Sequence, residues 1–294
     1  MASKAFPFFS IVSAILLSLL SHNYSVLHTP TQKEKSSPFE SIEHLKGCQK
    51  GDKVKGIHEL KKYPQKFGYL NYENSKELLE STIKTCQLNF NLKSTGFLDA
   101  NTVAKMRTPR CGVADIVNGT TRMRSGKKKQ QQNNHFHTVW PASKFSLTYA
   151  FRLGTRGDAI TPVARAFQTW AANTQFRFSK IEDFAGADIK ISFESRNHGD
   201  GRPFDGRGGP DGTLAHAFAP TNGRFHYDAD EPWAVGAVQG AFDSLKDTYI
   251  IAPSTAVQNA PFEGSIMYPS ISDGQTKRSL QGDDIQGIKA LYNV

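Results

Sequence analysis

From residue 197 to residue 232 the chain is rich in glycine, aspartate and proline and is too long for an ordinary connection. Structureless stretches of that length are uncommon inside compact domains, because nothing offsets the conformational entropy lost on ordering them. Such a segment must be fixed by ligands, and its side chains indicate which. His198, Asp200, His216 and His226 supply three imidazoles and a carboxylate. A His3Asp set fills a tetrahedron and leaves no position for water, which describes a structural zinc site and not a catalytic one. Any one of these histidines alone would be an ordinary surface or packing residue. Interleaved with them are Asp205-Gly206, Asp211-Gly212, Asp228 and Glu231. Carboxylates and glycine-turn carbonyls suit calcium, although Asp and Gly are also the usual residues of loops.

The regions around this segment differ in period. Upstream, Val54, Ile57 and Leu60, then Leu79, Ile83, Cys86 and Phe90, then Val103 and Met106 fall at helical spacing, which predicts three short helices sharing one core. Ser75 offers a helix start, Pro64 is expected to end the first helix, and Thr95-Gly96 marks a turn. Downstream, Phe145, Leu147, Tyr149 and Phe151 alternate with polar residues as a half-buried strand, and 176–178 and 189–193 read as two more. Between the first two strands, Ile160, Val163, Phe167 and Trp170 mark an amphipathic helix, with Asp158 or Thr161 available as cap and Pro162 in the first turn. Asp283 and Asp284 open a last helix whose Ile285, Ile288 and Leu291 share a face. The C-terminal part is therefore expected to be α+β, one sheet with helices packed on it.

The N-terminus sets the compartment. Lys4 precedes an apolar run from Phe6 to Leu20, about the length of a signal-peptide core and short of a membrane span. Residues 1–25 are read as a signal peptide, with an uncleaved anchor as the alternative, and either way the body is exported. No second long apolar run, lipid-anchor tail or retention signal follows, so a soluble secreted protein free of the membrane after signal cleavage is expected. Three cysteines leave at least one without an internal partner: Cys48 and Cys86 could pair and free Cys111, or either could be plain packing. Much of the net charge of +9 lies in 122–129, ahead of the polar run 130–134. That is the signature of a solvated tether open to trypsin-like proteases, and it excludes a nucleic-acid reading. Asn118-Gly119-Thr120 is a glycosylation sequon at the start of this linker.

Two motifs are more specific. Pro109-Arg110-Cys111-Gly112-Val113-Ala114-Asp115 and Ile266-Met267-Tyr268-Pro269, taken with the His-Gly-Asp loop, resemble the matrix metalloproteinases. These are secreted zinc endopeptidases of the matrixin type, and the likeness is greatest to the short plant forms that lack a C-terminal propeller. The resemblance covers residues 45–294. It implies a metzincin-like catalytic domain over 135–294, with a mixed, mostly parallel sheet and about three helices, preceded by a three-helix prodomain over 45–108 that resembles peptidoglycan-binding modules. It implies a cysteine switch over 109–115, a linker over 116–134 and a Met-turn at Met267. His198, Asp200, His216 and His226 would take the structural zinc, and Asp205, Gly206, Asp228 and Glu231 would be among the calcium ligands. The stretch from Asp205 to His216 is longer than the family pattern by about three residues. In the family the switch thiolate occupies the catalytic zinc until an activating protease removes the prodomain, and the substrates are extracellular or cell-wall proteins.

The family's chemistry needs His-Glu-x-x-His-x-x-Gly-x-x-His, two ligands one helical turn apart and a glutamate as general base. The nine histidines here end at His226, and the motif is absent. Counted back from Met267, the ligand positions hold Tyr249, Pro253 and Asn259, and the glutamate position holds Ile250. No catalytic residue is therefore assigned, and Cys111 has no expected metal partner. Phe242-Asp243 before this interval and Glu263-Gly264-Ser265 after it still match, as two compensating frameshifts would leave them. Three readings stay open: an inactive matrixin, an active endopeptidase whose true sequence contains the missing helix, and a secreted wall- or matrix-binding module using the N-terminal helices.

Overall fold

The computed structural model describes residues 39–48, 57–70, 78–117, 120–121, 139–209, 211–243 and 263–292. The expected signal peptide, Val54, Ser75, Asn118, most of the basic linker, and Tyr249, Ile250, Pro253 and Asn259 lie outside them. The described residues all fall in one compact unit.

A 3-10 turn, Glu40–Leu45, precedes helices α1 (Ile57–Lys66), α2 (Leu78–Asn89) and α3 (Ala100–Met106). Their apolar faces meet in one cluster that includes Tyr63, Phe67, Ile83, Phe90 and Val103, and the turn adds Phe39 and Ile42. Asp99 caps α3 by accepting the Thr102 amide at 2.8 Å. Pro64 does not end α1, which runs two residues further. The carbonyl of Pro64 instead accepts the amides of Tyr69 and Leu70, which folds the exit of the helix back on itself. No disulfide joins Cys48, Cys86 or Cys111. Cys86 packs in the helical core, where burial pushes its thiol far up, so the expected Cys48–Cys86 pairing gives way to the packing alternative.

The second core lies between a six-stranded sheet and two helices. The strands are β1 (Arg110–Cys111), β4 (Ser146–Phe151), β5 (Arg177–Lys180), β6 (Ile189–Glu194), β7 (Thr213–Ala217) and β8 (Arg224–Asp228), in the order β1-β7-β8-β6-β4-β5. Every pairing is parallel except β7 with β8. Helix α4 (Gly157–Asn173) crosses from β4 to β5 and buries Val163, Ala166, Phe167 and Trp170 on the sheet, with Phe167 4.3 Å from the Tyr149 ring. Neither Asp158 nor Thr161 caps it. The helix begins at Gly157, which places Pro162 in its second turn, and the Asp158 carboxylate is taken by the Arg156 guanidinium at 2.6 Å. Helix α5 (Gly282–Tyr292) closes the other end of this core through Ile288.

Residues 197–232 are not one ligand-held loop. They contain β7 and β8, both almost wholly buried, which place two of the three expected zinc histidines on paired strands. Thr213–Ala217 lacks the alternation that marks a half-solvated strand, whereas Arg224–Asp228 alternates in sequence yet is buried on both faces. The start of the expected linker also has structure: β2 (Ile116–Val117) pairs antiparallel with β3 (Thr120–Thr121). A short parallel pair, β9 (Trp233–Ala234) with β10 (Phe242–Asp243), follows the sheet.

Candidate metal centre and the seated cleft segment

His216 on β7 and His226 on β8 are directly opposite each other in the antiparallel ladder, so their rings project from the same face. The bend after β6 carries His198 and Asp200 to that face. Asp200 Oδ2 lies 2.7 Å from His216 Nε2, 2.8 Å from His198 Nε2 and 2.9 Å from His226 Nδ1. His226 Nδ1 and His198 Nε2 are 3.1 Å apart. Among the described residues, this is the one group of three or more His, Cys, Asp or Glu side chains whose donor atoms all lie within 4.8 Å of each other.

The surroundings leave these atoms ready as ligands. His198 Nδ1 faces the Arg196 carbonyl at 2.9 Å, which can only accept, so the proton sits there and the Nε2 lone pair points inward. Phe204 stacks on the His198 and His216 rings, and Phe218 stands edge-on to His216 and His226. Burial pulls His216 down to about 4 against the pull of Asp200, and it lowers His226 as well, so both rings are neutral near pH 7. Burial works to raise Asp200, but the Arg202 amide and the His216 ring outweigh it and hold the carboxyl far below its usual value. Four donors at about 2.0–2.1 Å from a tetrahedral ion would be about 3.3 Å apart, between the 2.7–3.1 Å contacts here and the 4.8 Å that bounds the whole set. The donor set fits a four-coordinate ion with no open position.

The acidic residues beside it are arranged differently. Asp205 Oδ2 accepts the Asp211 and Gly212 amides at 2.6 and 2.9 Å, Asp228 Oδ2 accepts the Gly206 amide at 3.2 Å, and Glu231 Oε1 accepts the Gly208 amide at 2.9 Å. These carboxylates hold the loop by its backbone and are not gathered around one point. Two features favour a cation nonetheless. Asp205 Oδ1 is buried with no hydrogen-bond partner among the described residues. Burial, joined by the charges of Asp230 and Asp205, pushes Asp228 up to about 6.

The segment from Pro109 to Asp115 lies in a slot of the sheet domain. Strand β1 runs parallel to its neighbour β7 at the edge of the sheet, with the Arg110 amide donating to Gly212 and the Gly112 amide to Ala215, both at 2.9 Å. On the opposite side the Cys111 amide donates to Pro269 at 2.8 Å and the Ile271 amide to Pro109 at 3.0 Å. A Cβ at Gly112 would stand 2.7 Å from Thr213 Cγ2, so this close approach needs glycine. Arg110 is wholly buried and forked onto Asp115 at 2.8 and 2.6 Å. Its guanidinium also donates to the Tyr63 hydroxyl at 2.8 Å and lies 3.8 Å above the Phe67 ring, and Tyr69 donates to Asp115 at 2.7 Å. The ion pair thus ties the segment to α1. Cys111 is buried in the slot.

Beneath the slot, the Ile266 and Met267 amides donate to the Asp284 carboxylate at 3.1 and 3.0 Å, so the first turn of α5 anchors the Met267 turn. The sequence shows Asp284 only as an acidic helix start. An aspartate doublet opening the last helix after a Met-turn is the signal that could have suggested more.

The family model described as Matrixin matches residues 139–293. Metalloendoproteinase 2-MMP of Arabidopsis thaliana is 37% identical over 289 residues, covering 87% of this chain and 75% of that protein. Metalloendoproteinase 5-MMP of the same plant is 38% identical over 275 residues, 86% of this chain and 76% of its own. Metalloendoproteinase 1 of Glycine max is 38% identical over 260 residues, 83% and 84%. No helix among the described residues is long and apolar enough to cross a membrane. With a family match over more than half of its length and relatives aligned along most of theirs, the chain belongs to the matrixin family of metalloendopeptidases.

Proposed function

We propose that this chain is a secreted matrixin in zymogen form that folds around structural metals and does not cleave peptide bonds. The observation that carries the reading is the fate of its histidines. The three that reach the sheet domain's metal loop converge with Asp200 on one closed centre, and none follows His226. A zinc held by His198, Asp200, His216 and His226 would tie β7 and β8 to the preceding bend. Calcium at Asp205, Gly206, Asp228 and Glu231 would relieve the buried carboxylates next to it.

In this reading residues 45–108 are the prodomain, 109–115 the cysteine switch, 116–134 the activation linker and 135–294 the metalloproteinase domain. Residues 1–25 direct export, Asn118 is glycosylated, and the partners are an activating protease and extracellular or cell-wall proteins. The hydrogen bonds on both edges of 109–112 support a switch that still seats although no catalytic metal awaits its thiol. A second reading, an active enzyme whose interval between Asp243 and Glu263 is misread, is favoured by the intact flanks, with β10 before it and the Asp284-anchored Met-turn after it. Metal analysis of the purified chain, with a peptide-cleavage assay after the linker is cut, separates the two. One zinc per chain and no cleavage are expected. Two zincs with cleavage would establish the second reading.

A further inference from the structure

Two lysines of the N-terminal helices reach the sheet domain on opposite sides of the seated segment. Lys66, the last residue of α1, donates to Asp211 Oδ2 at 2.9 Å and to Thr213 Oγ1 at 2.6 Å. Asp211 lies in the stretch that exceeds the matrixin pattern. Lys105, in the last turn of α3, donates to Glu263 Oε1 at 2.7 Å and stands over the Tyr268 ring, 4.8 Å from its centroid. Tyr268 follows Met267 in the chain, yet it is buried in the helical cluster, edge-on to Phe90 at 6.3 Å. Lys277 lies over the same ring at 5.1 Å.

We propose that Lys66 and Lys105 form a two-point clamp, separate from the Cys111 thiol, that keeps the helical unit docked and residues 109–112 seated. The proposal rests on reading residues 45–108 as a prodomain. Strand β1 is two residues long and cannot hold itself in the slot by its few backbone bonds. Its neighbours must hold it, and both lysines reach from a helix C-terminal end to a carboxylate of the sheet domain. A half-exposed ion pair adds little alone, but Lys105 also meets the face of a ring already withdrawn from water, where a cation gains more. The consequence is a two-step release: cutting the linker leaves the slot filled until the clamp lets go.

Peptide-resolved alkylation of the full chain tests this, with the Cys111 rate reporting the open slot and the Cys86 rate reporting unfolding of the helical core. Lys105→Glu is expected to speed Cys111 labelling about tenfold and Lys66→Glu about threefold, with Cys86 unchanged. The exchange Lys105→Glu with Glu263→Lys should return Cys111 to within about twofold of the parent. Unchanged Cys111 labelling in both single variants, or no recovery in the exchange, would overturn the clamp. If Lys105→Glu also exposes Cys86, Lys105→Met keeps the stem and drops the charge, with about threefold faster Cys111 labelling expected and no change overturning the proposal. Cleavage at a specific protease site inserted in the linker then separates clamp from prodomain. Fragments that stay together in low salt and part in high salt support the clamp. Fragments that part at once in low salt overturn the clamp and leave the prodomain reading standing. A sheet domain that unfolds after release in high salt supports the clamp and counts against the prodomain reading alone.

Discussion

Two buried polar clusters flank strand β7, and they are complete to different degrees. At Arg110–Asp115 the guanidinium and the carboxylate satisfy each other, joined by the hydroxyls of Tyr63 and Tyr69 and by the Cys111 carbonyl, which accepts from Arg110 Nε. At His198, Asp200, His216 and His226 a single carboxylate oxygen faces three ring nitrogens, and burial lowers the basicity of His216 and His226. The first contains both signs of charge and closes on itself. The second is a set of electron-pair donors, the chemistry that suits a cation. Burial alone therefore does not mark a metal site, whereas the absence of an internal counter-charge does.

The largest effect should come from breaking the self-complete cluster. Asp115→Ala strands a buried guanidinium and is expected to cost about 3–5 kcal/mol in urea unfolding, while replacing Arg110 and Asp115 together by Met and Leu should cost clearly less. Equal losses would mean that the pair does not act as a unit. Zinc chelation with calcium held in excess should act on the other cluster alone: removing an ion present at a thousandfold its Kd costs about 4 kcal/mol, and His216→Ala should abolish the response to chelator. A chelator effect that survives this substitution would place the ion elsewhere.

The acidic loop lies between these cases, and Asp228 tests it by a change of sign. Its folded pKa, raised to about 6, stands above the unfolded value, so the folded state takes the proton first. The ionised carboxylate then costs stability above pH 6, and the cost disappears below pH 4. In chelator at pH 7, Asp228→Asn should stabilise by roughly 2–3 kcal/mol, fading to nothing by pH 4, and in calcium it should destabilise. The same sign under both conditions would remove calcium from the account. The smallest effect is expected at the exposed pair Arg156–Asp158, where Arg156→Ala should shift thermal stability by less than about 0.5 kcal/mol.

Where one face of an element meets water, the sequence was legible. β4, β6, α4 and α5 follow from period alone, because alternating or helical spacing records which side is wet. β7 was hidden because Ala, Thr and His give it no alternating pattern, and β8 because its alternating polar positions, His226 and Asp228, are buried instead of wet. Pro64 and Pro162 misled for a related reason: a proline inside a helix is tolerated when tertiary packing outweighs its lost hydrogen bond, and no local rule reports that balance. At the site, the donor types and their order were readable. The roles of Asp284, Tyr268, Lys66 and Lys105 were not, since each contacts residues distant in the chain or belonging to another core.

By itself the sequence determined the chemistry on offer: a tetrahedral His3Asp donor set, a charged clasp around a cysteine, and the absence of His-Glu-x-x-His after residue 226. These depend on residue types, which a sequence states outright. Only the tertiary structure decided that His216 and His226 face each other across an antiparallel ladder, that residues 109–112 extend the sheet at β7, and that Tyr268 serves the helical core. Those are long-range pairings, fixed by how whole layers pack, and the identity of a residue does not encode which distant neighbour will cover it.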